Sequence, residues 1–167
     1  MDTCEIISSA QCQHGFIPFI INFYNVHLWQ CQIVLATLVG AVIGFEREIR
    51  GKDAGIRTYA IVAMASCLFT ILSKDVGGPG DAARIAANIV TGIGFLGAGV
   101  IWHHKDGGTE GLTTAASMWG VGAIGMAIGF GYISLALTSA FTVLIIMELF
   151  GLSVKGFRKM FKFKMEK

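Results

Sequence analysis

The feature that most constrains this chain is a series of apolar runs, each nearly as long as a bilayer is thick, separated by short charged clusters. A helix needs roughly 20 apolar residues to cross a hydrocarbon core of about 30 Å. Five runs approach this length: residues 28–45, 57–73, 85–102, 112–129 and 132–150. Residues 112–150 as one helix would be about 58 Å long, so this stretch must fold back, and the glycines of GFGY (129–132) favour a turn.

Composition supports the same class of protein. The chain is 54% hydrophobic and 14% charged, with a mean hydropathy of +0.66. A soluble domain of 167 residues needs a polar shell along its whole length, whereas the charges here are gathered into a few clusters. The sequence therefore predicts an all-α integral membrane protein, a bundle of about five transmembrane helices.

The distribution of Lys and Arg predicts the orientation of the chain. With five spans, eleven basic residues fall on one side, and only Lys74 and Arg84 fall on the other. The amino terminus is thus predicted outside and the carboxyl terminus in the cytoplasm of a multi-pass plasma membrane protein. The predicted segments are 1–27, extracytoplasmic or interfacial and interrupted by Pro18; 28–150, transmembrane; and 151–167, a basic cytoplasmic tail that contacts lipid rather than nucleic acid.

The cysteines and histidines do not indicate an enzyme. Cys4 and Cys12 could form a disulfide or bind a metal outside the cytoplasm, although metal-site spacing is absent. His103 and His104 are adjacent and would point about 100° apart on a helix, without a nucleophile or carboxylate at a catalytic spacing. The sequence therefore indicates no definite cofactor.

Glycine patterns indicate close helix packing. TGIGFLGAG (91–99) matches the spacing of the dinucleotide-binding fingerprint, but it lies inside an apolar run rather than after a strand. In lipid, small residues let two helix backbones approach closely, either within one chain or in a homodimer or other homo-oligomer. The predicted packing positions are Gly40, Gly44, Gly92, Gly94, Gly97, Gly99, Gly125 and Gly129.

Polar residues within the runs form two stripes. Arg84, Asn88 and Thr91 recur at i, i+4 and i+7, which places them on one helix face, and Thr113 and Ser117 share a face of the next run. Each polar group needs a partner where water is absent. The stripes are expected to face each other, either as interhelical hydrogen bonds or as the wall of a hydrated path.

The most charged segment, EREIRGKDAGIRT (46–58), lies between two apolar runs. Its basic residues can fix the topology, and Glu46 can pair with Arg50 at i, i+4. Acidic residues contribute little to orientation, so the carboxylates of Glu46, Glu48 and Asp53 need a further explanation.

Three motifs together resemble the amino-terminal membrane domain of the MgtC/SapB family over about residues 28–150. They are GFEREIRGKDAGIRT (44–58), RIAANIVTGIGFLGAGVI (84–101) and GLTTAASMWGVGAIGMAIG (111–129), in that order. The resemblance implies a bacterial-type inner-membrane protein of magnesium homeostasis, with Mg²⁺ as a transported substrate. Asn88 stands where the family commonly has Gln, and Glu110 stands where a basic residue is usual.

Two functions follow as hypotheses. In the first, Mg²⁺ passes Glu46 and Glu48, since this cation prefers carboxylate oxygens, or else these residues form a salt-bridge network. In the second, the protein is a non-transporting regulator that binds another membrane protein through its helix faces. The residues assigned to the ion path or to the network are Glu46, Glu48, Arg50, Asp53, Arg57, Arg84, Asn88, Thr91, Thr113 and Ser117.

Overall fold

The computed structural model describes residues 17–76, 82–105 and 108–148, and this part of the chain is almost entirely helical. The disulfide or metal site predicted at Cys4 and Cys12 and the basic tail 151–167 lie outside the described residues. The described elements are α1 (Ile17–Ile49), α2 (Ile56–Val76), α3 (Ala82–Gly99), β1 (Trp102–His103), β2 (Thr109–Glu110), α4 (Leu112–Phe130) and α5 (Ile133–Glu148).

Helix α1 begins earlier than the first predicted span. Its 33 residues start at Ile17, so Pro18 does not break the helix. Proline is tolerated in the first helical turn, where its missing N–H would have no intrahelical partner. The helix is about 50 Å long at 1.5 Å per residue, which exceeds the thickness of the hydrocarbon core.

Three described helical segments are long and apolar enough to cross a membrane: His27–Ile49, Ile56–Asp75 and Leu112–Phe130. Ala86–Gly99 and Ile133–Glu148 are shorter apolar helices. The prediction of a nearly all-helical protein with membrane-spanning helices is therefore confirmed, while the number of five spans stays a prediction.

Helix α2 lies at the centre because glycines on two neighbouring helices allow close approach. A Cβ atom at Gly40 would lie 2.5 Å from the Tyr59 carbonyl oxygen, and one at Gly44 would lie 2.7 Å from the Ile56 Cα atom. On α4, Gly125 approaches the Ala63 backbone in the same way. Helices α1 and α4 thus pack against α2 at distances that exclude larger side chains.

Three glycines of α3 contact no other described helix of the same chain, so their prediction as packing positions stays a prediction. Among the described residues, no heavy atom lies within 4 Å of a Cβ built at Gly92, Gly94 or Gly99, whereas one at Gly97 would lie 3.5 Å from the Ala115 Cβ. Spacing alone shows that a helix carries small residues but not which of them meet a neighbour.

Two connections differ in how well the sequence predicted them. Gly131 ends α4 with φ of 90°, a left-handed conformation that suits glycine, and this confirms the turn at GFGY. The third run was expected to continue to residue 102, but α3 ends at Gly99 and β1 pairs antiparallel with β2. No strand was predicted there.

Candidate functional site

Most of the described charged residues near the helix ends lie at one end of the bundle, where α1 leads into α2. Glu48 accepts a hydrogen bond from the backbone N–H of Ile56 at 3.0 Å, in the first turn of α2. The carboxylate also lies so close to Gly55 that a Cβ there would meet it. A negative charge at a helix N-terminus satisfies exposed N–H groups and the helix dipole. Glu48 therefore stabilises the start of α2.

Arg50 joins α1 to α5. Its Nε contacts a carboxylate oxygen of Glu46, and its Nη2 lies 2.6 Å from Oε2 of Glu148. The hydrogen bond and charge of Glu148, with the charge of Glu46, raise the pKa of the Arg50 guanidinium above its ordinary value against the opposing effect of desolvation. Arg50 thus remains a fixed positive charge between two carboxylates.

Glu46 is the most unusual member of this group. Its side chain is only 10% exposed, and among the described residues neither carboxylate oxygen has a hydrogen bond of acceptable geometry. Its contacts are ionic: Arg50 lies against one oxygen, and Nη1 of Arg47 lies 3.9 Å from the other. A buried carboxylate is costly to hold without partners, so its charge depends on these two arginines.

Arg47 enters the interior of the bundle and is only 4% exposed. Its Nη2 donates to the Thr114 hydroxyl at 3.2 Å, while its Nε has no hydrogen-bond partner in the described part of the chain. This contact connects the end of α1 with the first turn of α4.

The hydrogen bonds continue from Thr114 into the core. Ser117 donates to the Thr114 carbonyl oxygen at 2.9 Å, and its hydroxyl is hydrogen-bonded to the hydroxyl of Tyr59. Tyr59 is fully buried. We define the charged cluster as Glu46, Arg47, Arg50, Tyr59, Thr114, Ser117 and Glu148; it connects α1, α2, α4 and α5.

The predicted meeting of two polar stripes does not occur. Asn88 and Thr91 are exposed on α3 and donate to the carbonyl oxygens of Arg84 and Ala87 on their own helix. Thr113 is also exposed, and its neighbour Thr114 is buried instead. Asn88, Thr91, Thr113 and Ser117 therefore do not line one path in this structure.

Other predicted site residues lie outside the charged cluster. Asp53 and Arg57 are exposed around the connection from α1 to α2. Glu110, which stands where the family usually has a basic residue, lies 3.5 Å from Nε2 of His104 across the β1–β2 hairpin. Arg84 is exposed on α3, at the opposite end of that helix from the charged cluster.

Four members of the charged cluster were missed as site residues by sequence reasoning: Arg47, Tyr59, Thr114 and Glu148. Tyr59 is buried because Gly40 and Gly44 bring α1 close to its helix. A signal for Glu148 was present, since a carboxylate near the end of an apolar run needs a partner.

The acidic residues of the charged segment do not converge on one point. Glu46 faces two arginines and Glu48 caps α2. Within the described ranges there is no group of three or more His, Cys, Asp or Glu side chains arranged to hold a metal ion. The carboxylates predicted as magnesium ligands are therefore occupied by protein contacts in this conformation.

Comparison with known proteins gives consistent matches. The sequence model of the MgtC family matches residues 33–154. The chain is 42% identical over 128 residues to "Putative magnesium transporter YhiD" of Escherichia coli (strain K12), covering 71% of this chain and 59% of that protein. It is 38% identical over 122 residues to protein SapB of Bacillus subtilis (strain 168), covering 68% and 53%. It is 47% identical over 100 residues to protein MgtC of Brucella abortus (strain 2308), covering 59% and 41%.

The chain spans about half the length of the curated relatives it matches. No solved structure matches. The long apolar helices and these relatives identify the chain as a membrane protein.

Proposed function

Because the chain belongs to the MgtC family, we propose that it is an inner-membrane protein of magnesium homeostasis that moves Mg²⁺ across the bilayer. The name of the Escherichia coli relative supports the choice of substrate. Mg²⁺ is here a transported ion rather than a resident cofactor.

The proposed topology has five spans, with the amino terminus outside and the carboxyl terminus in the cytoplasm. Three helices have the length for this, and α3 and α5 would supply the other two. The excess of Lys and Arg at the end that carries Arg47, Arg50 and Lys105 supports a cytoplasmic location for the charged cluster.

One observation carries the transport proposal: Glu46 is an almost buried carboxylate whose partners among the described residues are the two arginines Arg47 and Arg50. Mg²⁺ requires oxygen ligands and usually binds through one or two carboxylates while it keeps several waters. An ionisable residue held near the end of a membrane helix indicates a functional role. Glu46 is thus the residue of the charged cluster best suited to meet the ion.

In the described conformation Arg50 stands where a cation would have to contact Glu46. The charges of Glu46, Arg47, Arg50 and Glu148 cancel, so the closed cluster attracts neither sign strongly. Because Arg50 already hydrogen-bonds Glu148, a small movement away from Glu46 would keep one ion pair and free the buried carboxylate. We therefore assign Arg50 the role of a gate at the cytoplasmic end of the path.

The test is Mg²⁺ uptake by a transporter-deficient bacterial strain, together with flux into liposomes that contain the purified protein. Wild type should restore growth at low Mg²⁺ and should carry flux. Glu46→Gln keeps the shape but removes the charge, and we expect it to lose both activities. Glu110→Gln is the matched control, because Glu110 is an exposed carboxylate at the same end of the bundle.

Two outcomes contradict transport. Growth rescue that persists in Glu46→Gln would remove Glu46 from the mechanism. Rescue by wild type without any flux in liposomes would favour the non-transporting regulator, which should then be recovered with a stable membrane-protein partner. Protein amounts in the membrane, measured by immunoblot, separate these outcomes from poor insertion.

We also propose that the protein forms a homodimer. Gly40, Gly44 and Gly125 contact α2 within one chain, so they are not available to a second copy. Gly94 and Phe95 on α3 remain open, and Phe95 is 81% exposed. Cysteine crosslinking at Gly94 in native membranes should yield a dimer, whereas crosslinking at Gly40 should not.

A further inference from the structure

A groove runs between α2 and α3, away from the charged cluster. Its volume is about 390 Å³, which falls within the range of about 300–1,000 Å³ typical of ligand sites. Val62 and Phe69 on α2 and Gly92 and Leu96 on α3 form its mostly apolar walls. Phe69, Gly92 and Leu96 are exposed, so the groove opens toward the outside of the bundle.

The size of the groove favours a thin apolar occupant. A helix about 10 Å in diameter could lie over the open mouth of the groove but could not enter it. A hydrocarbon chain is much narrower than a helix. Helices α2 and α3, which border the groove, are both apolar, so lipid chains would surround them in a bilayer.

Charge marks one end of the groove. Asn88 lines that end, and its side-chain amide donates to the Arg84 carbonyl oxygen one helical turn away at 3.1 Å. Arg84 is exposed and lies in the first turn of α3. A basic residue at the end of an apolar groove between membrane helices is complementary to the headgroup of an anionic lipid.

We propose that this groove binds one anionic phospholipid, with an acyl chain between α2 and α3 and the phosphate beside Arg84. This site is separate from the charged cluster and does not depend on Mg²⁺ transport. Its occupant would hold α3 against α2 where the two backbones do not approach closely.

The test is native mass spectrometry of the full chain in detergent, titrated with phosphatidylglycerol or phosphatidylcholine. The first phosphatidylglycerol should bind about fivefold more tightly than the first phosphatidylcholine, the effect expected of one basic residue near an anionic headgroup. Arg84→Gln should bring the two affinities to parity. Gly92→Leu places a side chain in the open groove, and its Cβ would have no heavy atom within 4 Å. This variant should lose the tight binding of the first phosphatidylglycerol.

Gly94→Leu is the matched control, because Gly94 is equally open but lies about 200° around the helix from Gly92. It should keep the affinity for phosphatidylglycerol, measured on the monomer peak. Equal affinities of wild type for both lipids, or equal losses in Gly92→Leu and Gly94→Leu, would overturn the proposal. A dimer peak that Gly92→Leu abolishes while the lipid adducts stay unchanged would also overturn it, since a second copy would then occupy the groove. Circular dichroism establishes that each variant is folded, and Arg84→Gln tests the headgroup without altering the groove.

Discussion

Replacing Thr114 by Val tests whether the buried arginine depends on one side-chain hydroxyl. Val has nearly the shape of Thr and a similar helix propensity, so the change mainly removes the acceptor of the 3.2 Å hydrogen bond from Arg47. The Arg47 side chain is 5% exposed, and its Nε has no partner within the described residues. Among the described residues, the guanidinium would then retain only the 3.9 Å contact with Glu46.

The expected loss is about 2 kcal/mol. Hydrogen bonds between membrane helices average about 0.6 kcal/mol, but those to a charged group contribute about 1.5–3 kcal/mol. The larger range applies because the donor is a charged guanidinium that is almost fully buried. The assay is reversible unfolding in mixed micelles by titration with a denaturing detergent, followed by far-ultraviolet circular dichroism.

Thr113→Val is the matched control, since Thr113 is adjacent and exposed, and it should change stability by less than about 0.5 kcal/mol. Arg47→Met completes a double-mutant cycle because Met has a similar length and no charge. In the Arg47→Met background, Thr114→Val should have almost no effect. An equal loss in both backgrounds would refute the assignment of the hydrogen bond.

Three further changes test the packing and the charges around the charged cluster. Gly125→Ala should destabilise the protein by about 1–3 kcal/mol, because its Cβ would meet the Ala63 carbonyl oxygen, whereas Gly94→Ala should be neutral or slightly stabilising in the same unfolding assay. Glu48→Ala removes the acceptor of the Ile56 N–H, so we expect a loss of about 0.5–2 kcal/mol and faster hydrogen exchange at that amide. Glu148→Gln removes the charge that pairs with Arg50, so the variant should be less stable than wild type at low salt but equally stable in about 1 M salt, which screens the pair. The pKa of Arg50 is raised in the folded state. Its ion pair therefore contributes fully to the free energy of unfolding below the unfolded pKa, and this contribution is lost only as pH rises through the higher folded pKa. The difference in stability between wild type and Glu148→Gln should therefore be constant from about pH 6 to 10.

The helices were predictable because hydrophobic length is a strong signal and charged residues interrupt it at their ends. In contrast, the face of α4 that is buried could not be predicted. This helix is apolar around most of its circumference, so periodicity does not indicate its buried face. One position rotates a side chain by about 100°, which separates the exposed Thr113 from the buried Thr114. The sequence thus predicted the buried Ser117 of α4 correctly, but it selected Thr113 in place of its neighbour Thr114.

Partners of the charged residues were predictable only over short separations. The pairing of Glu46 with Arg50 follows from their spacing of four residues on one helix. The contacts of Arg50 with Glu148 and of Arg47 with Thr114 join residues far apart in the chain. They depend on how α1, α4 and α5 pack around α2, which the glycine spacing of a single sequence does not fix.

The unequal packing of the helices indicates where a conformational change can occur. Helices α1 and α4 approach α2 so closely that glycines are required on both, and hydrogen bonds through Thr114, Ser117 and Tyr59 connect them. Helix α3 makes no such approach to α2 at Gly92 or Gly94 and borders an open groove, and its contact with α4 at Gly122 is made by the Ile93 side chain. Packed elements with two discrete arrangements move as units, so α1, α2 and α4 should stay together while α3 moves. Release of Arg50 from Glu46 changes only an ion pair at the edge of that unit, and it is therefore compatible with a path that opens on the α3 side without unfolding the core.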